Sequence, residues 1–323
     1  MRRRPHDRRP FRLPGLAALA LVTVTVLTAC GSGGDPAPAA PAAPSPAAPS
    51  PAAPGRTLTV VASTNVWGAV VSAVAGPGVE VRSLISDPAA DPHSYESTPA
   101  DAAAIAGADL VVWNGGGYDE FVQQAIGADP ALAGKTVEAF TSRGDQADDD
   151  EHVWFDPAAV KGVVTQVTDR LAAVEPDQAT ALRERAAAFT GRVDQESAAL
   201  AGIGAARPGS RVVSTEPIAH YLLRTAGVAD VTPPAFSEAV EAEADPPAAA
   251  LVQTRDLLTA RGAGALVFNP QTETPLTEQL RATATGAGLP VVDVTETLPA
   301  GRDYLQWLDG NRTALAGALG APA

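Results

Sequence analysis

Two stretches of alternating strands and helices, separated by one long helical segment, constrain the fold of this chain more than any other feature. The separator runs from about Asp177 to Ala205, is rich in Ala, Leu, Arg and Glu and lacks proline, which predicts one long helix with Gly191 and Gly202 as possible breakers. Short apolar runs at 58–62 before it and 265–268 after it are typical of buried strands. Alternation of this kind predicts parallel sheets covered by helices on both faces.

The predicted elements fall into two sets. Strands are predicted at 58–62, 79–85, 108–114, 211–215, 265–268 and 290–294, and helices after Thr98 and Asp156 and over 217–226, 275–285 and 304–319. The predicted fold class is therefore α/β, with two lobes, each a parallel sheet flanked by helices, joined by one long rigid helix. The predicted boundaries are 57–176, 177–206 for the connecting helix, and 207–323. Ligands of α/β folds bind at the carboxyl ends of strands, so two facing lobes predict a cleft.

The first 56 residues have the features of an export signal and a spacer. Residues 1–12 hold six arginines, and an apolar run then leads to Leu27-Thr28-Ala29-Cys30, which predicts a secretory signal peptide over 1–29. A leucine three places before a lone cysteine resembles a bacterial lipobox, so Cys30 is predicted to carry diacylglycerol after cleavage. The Pro/Ala-rich segment 30–56 cannot bury enough apolar surface to fold and is predicted to be a linker. The general secretory and twin-arginine export routes both stay open.

Composition excludes several classes of protein. The 323 residues include 37 acidic and 23 basic side chains, and removal of the signal peptide leaves 36 and 17, a net charge of −19. A protein this acidic lacks the basic face that nucleic-acid binders need and favours cationic ligands. The single cysteine excludes an intramolecular disulfide and a thiolate-rich zinc or iron–sulfur site. A hydrophobic fraction of 46% excludes a wholly disordered chain.

Three histidines of the mature chain lie beside other residue types that ligate metals. His93 lies in the polar segment Asp91–Glu96, and His152 follows four consecutive acidic residues. His220 lies on the helix that follows the first strand of the second lobe. Each of these segments lies near a predicted strand end or helix start, so their side chains are candidates for a shared site in the cleft.

Two carboxylates of the second lobe also lie at predicted strand ends. Glu216 follows the strand 211–215 and directly precedes the proline that starts a helix, and Glu296 follows the last core strand. His220 is an alternative to Glu216, because residues four apart share a helix face if the helix begins early. Asp293, at the end of the last strand, is an alternative to Glu296.

The order of these motifs resembles the metal-binding solute receptors of bacterial ABC importers, the cluster A-I or ZnuA-like family, over about residues 57–321. Residues 91–99 match the family's loop D-P-H-x-[YF]-E-x-[ST]-P, and residues 152–157 match its segment H-x-W-x-D-P. In its second lobe the family has His or Glu at a strand end, followed five residues later by Tyr, as Glu216 and Tyr221 do here. A carboxylate after the final core strand completes the family's site.

By this resemblance the metal ligands are His93, His152, Glu216 and Glu296, with His220 and Asp293 as runners-up. Zinc receptors of the family usually have a histidine at the third position, whereas manganese or iron receptors often have a glutamate. Two imidazoles and two carboxylates also suit Zn²⁺. The resemblance therefore implies one divalent metal ion as the transported ligand, Zn²⁺ or Mn²⁺, with Fe²⁺ not separated from them.

The resemblance implies a binding protein, not an enzyme, that delivers its metal to the membrane subunits of an ABC permease driven by a cytoplasmic ATPase. It implies a monomer held on the outer face of the cell membrane by the lipid on Cys30, with no nucleic acid as partner. A metal-storage protein or an adhesin is an alternative interpretation, and a zinc hydrolase is a further one. None of the patterns H-E-x-x-H, G-x-S-x-G or the P-loop occurs to support hydrolysis.

Overall fold

The computed structural model describes residues 56–144 and 148–322. The predicted signal peptide, Cys30 and all but the last residue of the predicted linker lie outside the described residues. Within the described ranges, none of the helices combines the length and the apolar character that a membrane span requires.

The first lobe is built on four parallel strands in the order β2-β1-β3-β4. The strands are β1 Leu58–Thr64, β2 Val79–Ile85, β3 Leu110–Trp113 and β4 Thr136–Glu138. The helices of this lobe are α1 Asn65–Ala75, α2 Pro99–Gly107, α3 Glu120–Ala128, α4 Ala139–Ser142 and α5 Pro157–Val174. Every residue of β3 is buried, as expected for an inner strand of a sheet that is covered on both faces.

The second lobe repeats this topology, with four parallel strands in the order β6-β5-β7-β8. The strands are β5 Arg211–Ser214, β6 Ala229–Asp230, β7 Ala265–Phe268 and β8 Val291–Asp293. Its helices are α7 His220–Ala226, α8 Pro234–Glu241, α9 Ala248–Thr259, α10 Pro275–Gly286 and α11 Tyr304–Leu319. The two parallel sheets confirm the predicted two-lobe α/β fold class.

The long helix α6 spans Ala179–Ala206 and follows a 3-10 turn at Pro176–Gln178. It packs on α1 and α5 of the first lobe and on α7 and α11 of the second. Gly191 and Gly202 do not interrupt it, because a helix of 28 residues with buried side chains along its length tolerates a cost of about 1 kcal/mol at each glycine. The predicted connecting helix is thus continuous and contacts helices of both lobes.

One hydrophobic cluster continues from the first lobe into the second behind the cleft. The ring of Phe155 stacks on that of Trp307, with centroids 4.7 Å apart. The buried hydroxyl of Tyr304 donates to the backbone oxygen of Trp154 at 2.8 Å. Because these contacts join residues about 150 positions apart in the chain, the lobes share a core rather than meeting only through the connecting helix.

Helix ends form where the sequence predicts them, with one difference. Thr98 and Asp101 make a capping box at the start of α2, Asp156 caps α5, and Gly227 ends α7 with a positive φ of 66°. The helix predicted over 217–226 is instead a 3-10 turn, Pro217–Ala219, followed by α7. The short edge strands β4 and β6 were not predicted, because, unlike the three residues of β8, they do not lie in a longer apolar run.

Candidate metal site

His93 lies in the loop between β2 and α2, at the carboxyl end of the first sheet. Its backbone N–H donates to Asp91 Oδ1 at 2.9 Å, which turns the chain at this residue. The end of the loop is held by Asp101, whose carboxylate accepts hydrogen bonds from Thr98 and from the hydroxyl of Tyr95. These contacts place the largely buried imidazole of His93 in the cleft between the lobes.

His152 directly precedes the 3-10 helix Val153–Phe155 and is almost completely buried. Asp150 Oδ1 lies 3.0 Å from its backbone nitrogen and 3.1 Å from its Nδ1. A proton on Nδ1 that is shared with this carboxylate leaves the lone pair of Nε2 free, and a carboxylate behind the ring is the usual partner of a metal-ligating histidine.

The second lobe holds the acidic segment before His152 in place. Tyr221 OH donates to the backbone oxygen of Asp150 at 2.8 Å, and Arg224 Nη1 lies 2.7 Å from Asp148 Oδ2. His220 Nε2 also lies 2.8 Å from Asp148 Oδ2. These contacts connect α7 to the loop that positions His152. They give Tyr221 a structural role that was not predicted from the sequence.

Glu296 follows β8 and is completely buried. Its Oε2 lies 3.2 Å from Nε2 of His93 and accepts a hydrogen bond from the hydroxyl of Tyr118 at 2.9 Å. Its Oε1 accepts from Asn269 Nδ2 at 2.9 Å. A carboxylate of the second lobe is therefore in direct contact with an imidazole of the first.

Glu216, predicted as the third ligand, is also completely buried. Its carboxylate accepts hydrogen bonds from Asn269 Nδ2 and, at 2.7 Å, from Thr272 Oγ1. Asn269 thus bridges Glu216 and Glu296. Burial, followed by the negative charges of Glu241 and Glu296, raises the pKa of Glu216 to about 7. Glu216 is thus linked to Glu296 through Asn269, but it is in neither of the two groups of described side chains whose ligand atoms all lie within 4.8 Å of one another, which are His93, His152 and Glu241, and Asp91, His93 and Glu296.

Glu241, the last residue of α8, joins both histidines and was not predicted from the sequence. Its Oε1 lies 3.3 Å from His93 Nε2 and 3.2 Å from His152 Nε2. The surrounding sequence, Glu238–Asp245, alternates alanine and acidic residues and looks like a solvated helix end. Nothing in that pattern distinguishes Glu241 from its neighbours, and only the packing of α8 brings it into the cleft.

The structure does not bring the two runners-up into this cluster. His220 is 40% exposed and pairs with Asp148, as described above. Asp293 is half exposed at the end of β8 and lies 3.5 Å from Arg281. Both side chains are therefore engaged elsewhere.

The charges of the cluster favour bound positive charge. Burial lowers the pKa of His93, but the short contact with Glu296 and the charges of Glu296, Glu241 and Glu151 outweigh it and raise the pKa to about 9. Burial likewise lowers the pKa of His152, but Asp150 and Glu241 raise it well above its ordinary value. Burial raises the pKa of Glu296, but the adjacent His93 leaves it lowered. Protons and a divalent cation would compete for the same imidazole nitrogens.

Three buried atoms at the centre of the cluster have no hydrogen-bond partner among the described residues: Nε2 of His93, Nε2 of His152 and Oε1 of Glu241. Ligand atoms at about 2.0–2.2 Å from one ion lie roughly 3 to 3.6 Å apart. The separations of 3.2–3.3 Å between these imidazole nitrogens and the oxygens of Glu241 and Glu296 fall in that range. The residues therefore have the spacing and the chemistry of donors around a single divalent ion.

Two sequence relatives match part of the chain. The manganese-binding lipoprotein MntA of Halalkalibacterium halodurans is 29% identical over 130 residues, which cover 39% of this chain and 42% of that protein. The high-affinity zinc uptake system protein ZnuA of Haemophilus ducreyi is 25% identical over 169 residues, 43% of this chain and 54% of that protein. The chain thus spans about half the length of these relatives.

The fold is similar to that of the periplasmic zinc-binding protein TroA of Treponema pallidum, with a TM-score of 0.67 and 20% identity over 83% of this chain and 100% of that chain. At this identity the likeness concerns the fold alone. The model of the ZnuA family, described as the periplasmic component A of the zinc-uptake complex, matches residues 60–318. That range contains both histidines and all three carboxylates of the cluster, and the chain belongs to the ZnuA family.

Proposed function

We propose that this protein captures one divalent transition metal ion, Zn²⁺ or Mn²⁺, between its lobes and delivers it to an ABC permease. The observation that carries the proposal is the convergence of imidazoles of the first lobe with carboxylates of the second. Nε2 of His93 lies 3.2 Å from Glu296 Oε2, and Nε2 of His93 and of His152 lie 3.3 and 3.2 Å from Glu241 Oε1. Neither nitrogen has a hydrogen-bond partner among the described residues. Imidazole and carboxylate donors suit both metals. Membership of the ZnuA family supports this function, and relatives named for manganese and for zinc match the chain.

The proposed ligands are His93, His152, Glu216 and Glu296. Two neutral imidazoles and two carboxylates carry a charge of −2, which a divalent cation neutralises. Burial and the neighbouring carboxylates raise the pKa of Glu216, so a cation that binds there would compete with a proton. Asn269 keeps Glu216 beside Glu296, so the two carboxylates can face the same ion.

The choice of metal follows from two opposing tendencies. Carboxylate oxygens are harder donors than imidazole nitrogens and favour Mn²⁺ or Fe²⁺. Intrinsic affinity rises along the series from Mn²⁺ to Cu²⁺ and favours Zn²⁺ over Mn²⁺ at an unconstrained site. Direct competition between Mn²⁺ and Zn²⁺ on one protein sample therefore decides which metal is the transported one.

We further propose that the chain acts outside the cytoplasm, held at the outer face of the cell membrane by a lipid on Cys30, as a monomer that binds metal without catalysis. The name of the MntA relative, a lipoprotein, supports the anchor. The partners are the permease's membrane subunits and, through them, a cytoplasmic ATPase. Replacement Cys30→Ser should move the protein from the membrane fraction to the soluble fraction of cells.

The function is tested by titrating purified, chelator-treated protein with Mn²⁺ or Zn²⁺ by calorimetry and by thermal melting. We expect one tight equivalent and a higher melting temperature, because metal binds the folded state alone. His93→Ala and His152→Ala should abolish both effects. Glu238→Ala is the control, since this residue is exposed on α8, and it should bind as the wild type does.

Other outcomes separate the alternatives. Several weak equivalents would indicate storage and would contradict a transport receptor. Turnover of hydrolase substrates by the metal-loaded protein, lost in His93→Ala, would indicate an enzyme. No binding and no change in melting temperature would contradict the proposal as a whole.

A further inference from the structure

We infer that Glu241 is a direct ligand of the bound metal and biases the site toward Mn²⁺, an inference that rests on the proposed function. Three observations carry it: the position of the end of α8, the lack of a hydrogen bond to Oε1 of Glu241 among the described residues, and the similar distances of this oxygen from two imidazoles.

Buried side chains and a closed turn position the end of α8. On the inner face of the helix, the side chains of Phe236 and Val240 are buried. The helix then stops in a turn in which Glu243 has a positive φ of 51°, Glu243 N donates to Val240 O at 3.0 Å, and Ala244 N donates to Ala239 O at 2.8 Å. Glu241 is therefore the last helical residue before a closed turn.

Glu241 differs from the other carboxylates of the cluster in its hydrogen bonds. The oxygens of Glu216 accept from Asn269 and Thr272, and those of Glu296 accept from Tyr118 and Asn269. Within residues 56–144 and 148–322, Oε1 of Glu241 is buried and accepts no hydrogen bond. A buried carboxylate oxygen without a donor is costly, so this atom has the strongest need for a cation.

The position of that oxygen matches a ligand rather than a simple ion-pair partner. It lies 3.3 Å from His93 Nε2 and 3.2 Å from His152 Nε2, and neither nitrogen makes a hydrogen bond within the described residues. These are the nitrogens proposed to bind the metal. An ion placed between these two nitrogens and this oxygen would therefore contact all three atoms at ordinary ligand distances.

A fifth donor changes the chemistry of the site. Two imidazoles and three carboxylates supply more oxygen and more negative charge than a four-ligand site. Zn²⁺ in protein sites usually has four ligands, whereas Mn²⁺ prefers oxygen donors and a higher coordination number. Glu241 should therefore contribute more to the affinity for Mn²⁺ than to that for Zn²⁺.

The test compares Glu241→Gln with Glu238→Gln, which removes the same charge from the exposed face of the same helix one turn earlier. Dissociation constants are measured for Mn²⁺ by electron paramagnetic resonance and for Zn²⁺ by chelator competition, and circular dichroism checks the fold. We expect Glu241→Gln to weaken Mn²⁺ binding at least tenfold and Zn²⁺ binding less, with a changed Mn²⁺ spectrum. Glu238→Gln should stay within twofold of the wild type.

The failure of this inference is distinct from the failure of the proposed function. If the wild type binds one equivalent and Glu241→Gln binds both metals equally well, Glu241 is not a ligand while the proposed function stands. An equal loss for both metals would support ligation and overturn the bias toward Mn²⁺. A wild-type protein that binds no metal overturns both proposals.

Discussion

The hydroxyl of Tyr118 links the two lobes through one hydrogen bond to Glu296. Tyr118→Phe removes this bond and leaves the ring in place. Loss of a group that orients a ligand typically weakens metal binding by about 10- to 100-fold. We expect a loss of that size in chelator competition. The control is Tyr304→Phe, which removes a buried tyrosine hydroxyl that donates to the backbone oxygen of Trp154. It should lower stability without changing metal affinity. Equal metal affinities of the two variants would contradict the role of Tyr118.

Asp101 makes the stability of the His93 loop depend on pH. Burial raises its pKa, but hydrogen bonds from Thr98 and Tyr95 and the charge of Arg82 leave it below its ordinary value of 3.8. A group with a lowered folded-state pKa stabilises the protein above its unfolded-state pKa, and this contribution is lost as pH falls through the folded-state value. Asp101→Asn should therefore cost about 1 kcal/mol at pH 7. In urea unfolding, the difference from wild type should shrink below pH 4; a constant difference would exclude this origin.

The candidate ligands that lie in sequence motifs could be predicted from the sequence, whereas the residues whose position depends on packing could not. His93 and His152 are in ordered motifs, and Glu296 follows a recognisable strand, so each could be proposed from its local context. Their roles as ligands stay predictions. Glu241 and Asn269 enter the cluster through the packing of α8 and the end of β7, and no local pattern encodes that placement.

At the level of elements, two glycines near the end of α6 provide a matched test of how closely this helix packs. A Cβ at Gly204 would lie 2.5 Å from the backbone oxygen of Ala226, whereas a Cβ at Gly202 would have no neighbour within 4 Å. Gly204→Ala should therefore destabilise the protein by about 1–3 kcal/mol. Gly202→Ala should stabilise it by up to about 1 kcal/mol through helix propensity. Both values come from urea unfolding, and equal stabilities would contradict the close contact of α6 with α7.

Most elements could be predicted because their sequence signals are local. The strands β1, β2, β5 and β7 are apolar runs, and the caps at Thr98 and Asp156 are each followed by proline. The elements that were not predicted are the helices α1, α3, α4, α8 and α9, the 3-10 turn before α7 and the edge strands β4 and β6. Tertiary contacts decide the turn and the two short strands. The strand order, which is the same in both sheets, also depends on contacts distant in the chain.

At the scale of the whole molecule, the shared core predicts that both lobes unfold together. Two signals follow unfolding. Tryptophan fluorescence reports on the first lobe through Trp67, Trp113 and Trp154 and on the second through Trp307, and circular dichroism reports on all helices. Because one apolar cluster spans both lobes, we expect the two signals to give the same urea midpoint in a two-state transition. Separate midpoints would show that the lobes are independent.

The proposed function requires one ion bound between the lobes, and anomalous diffraction from crystals of the metal-loaded protein tests this directly. Data collected at the absorption edge of Mn or Zn locate the metal without reference to any assumed ligand. We predict a single strong peak about 2.0–2.3 Å from Nε2 of His93, from Nε2 of His152 and from an oxygen of Glu296. A strongest peak on the acidic segment 148–151, or one that contacts only a single lobe, would contradict the central claim.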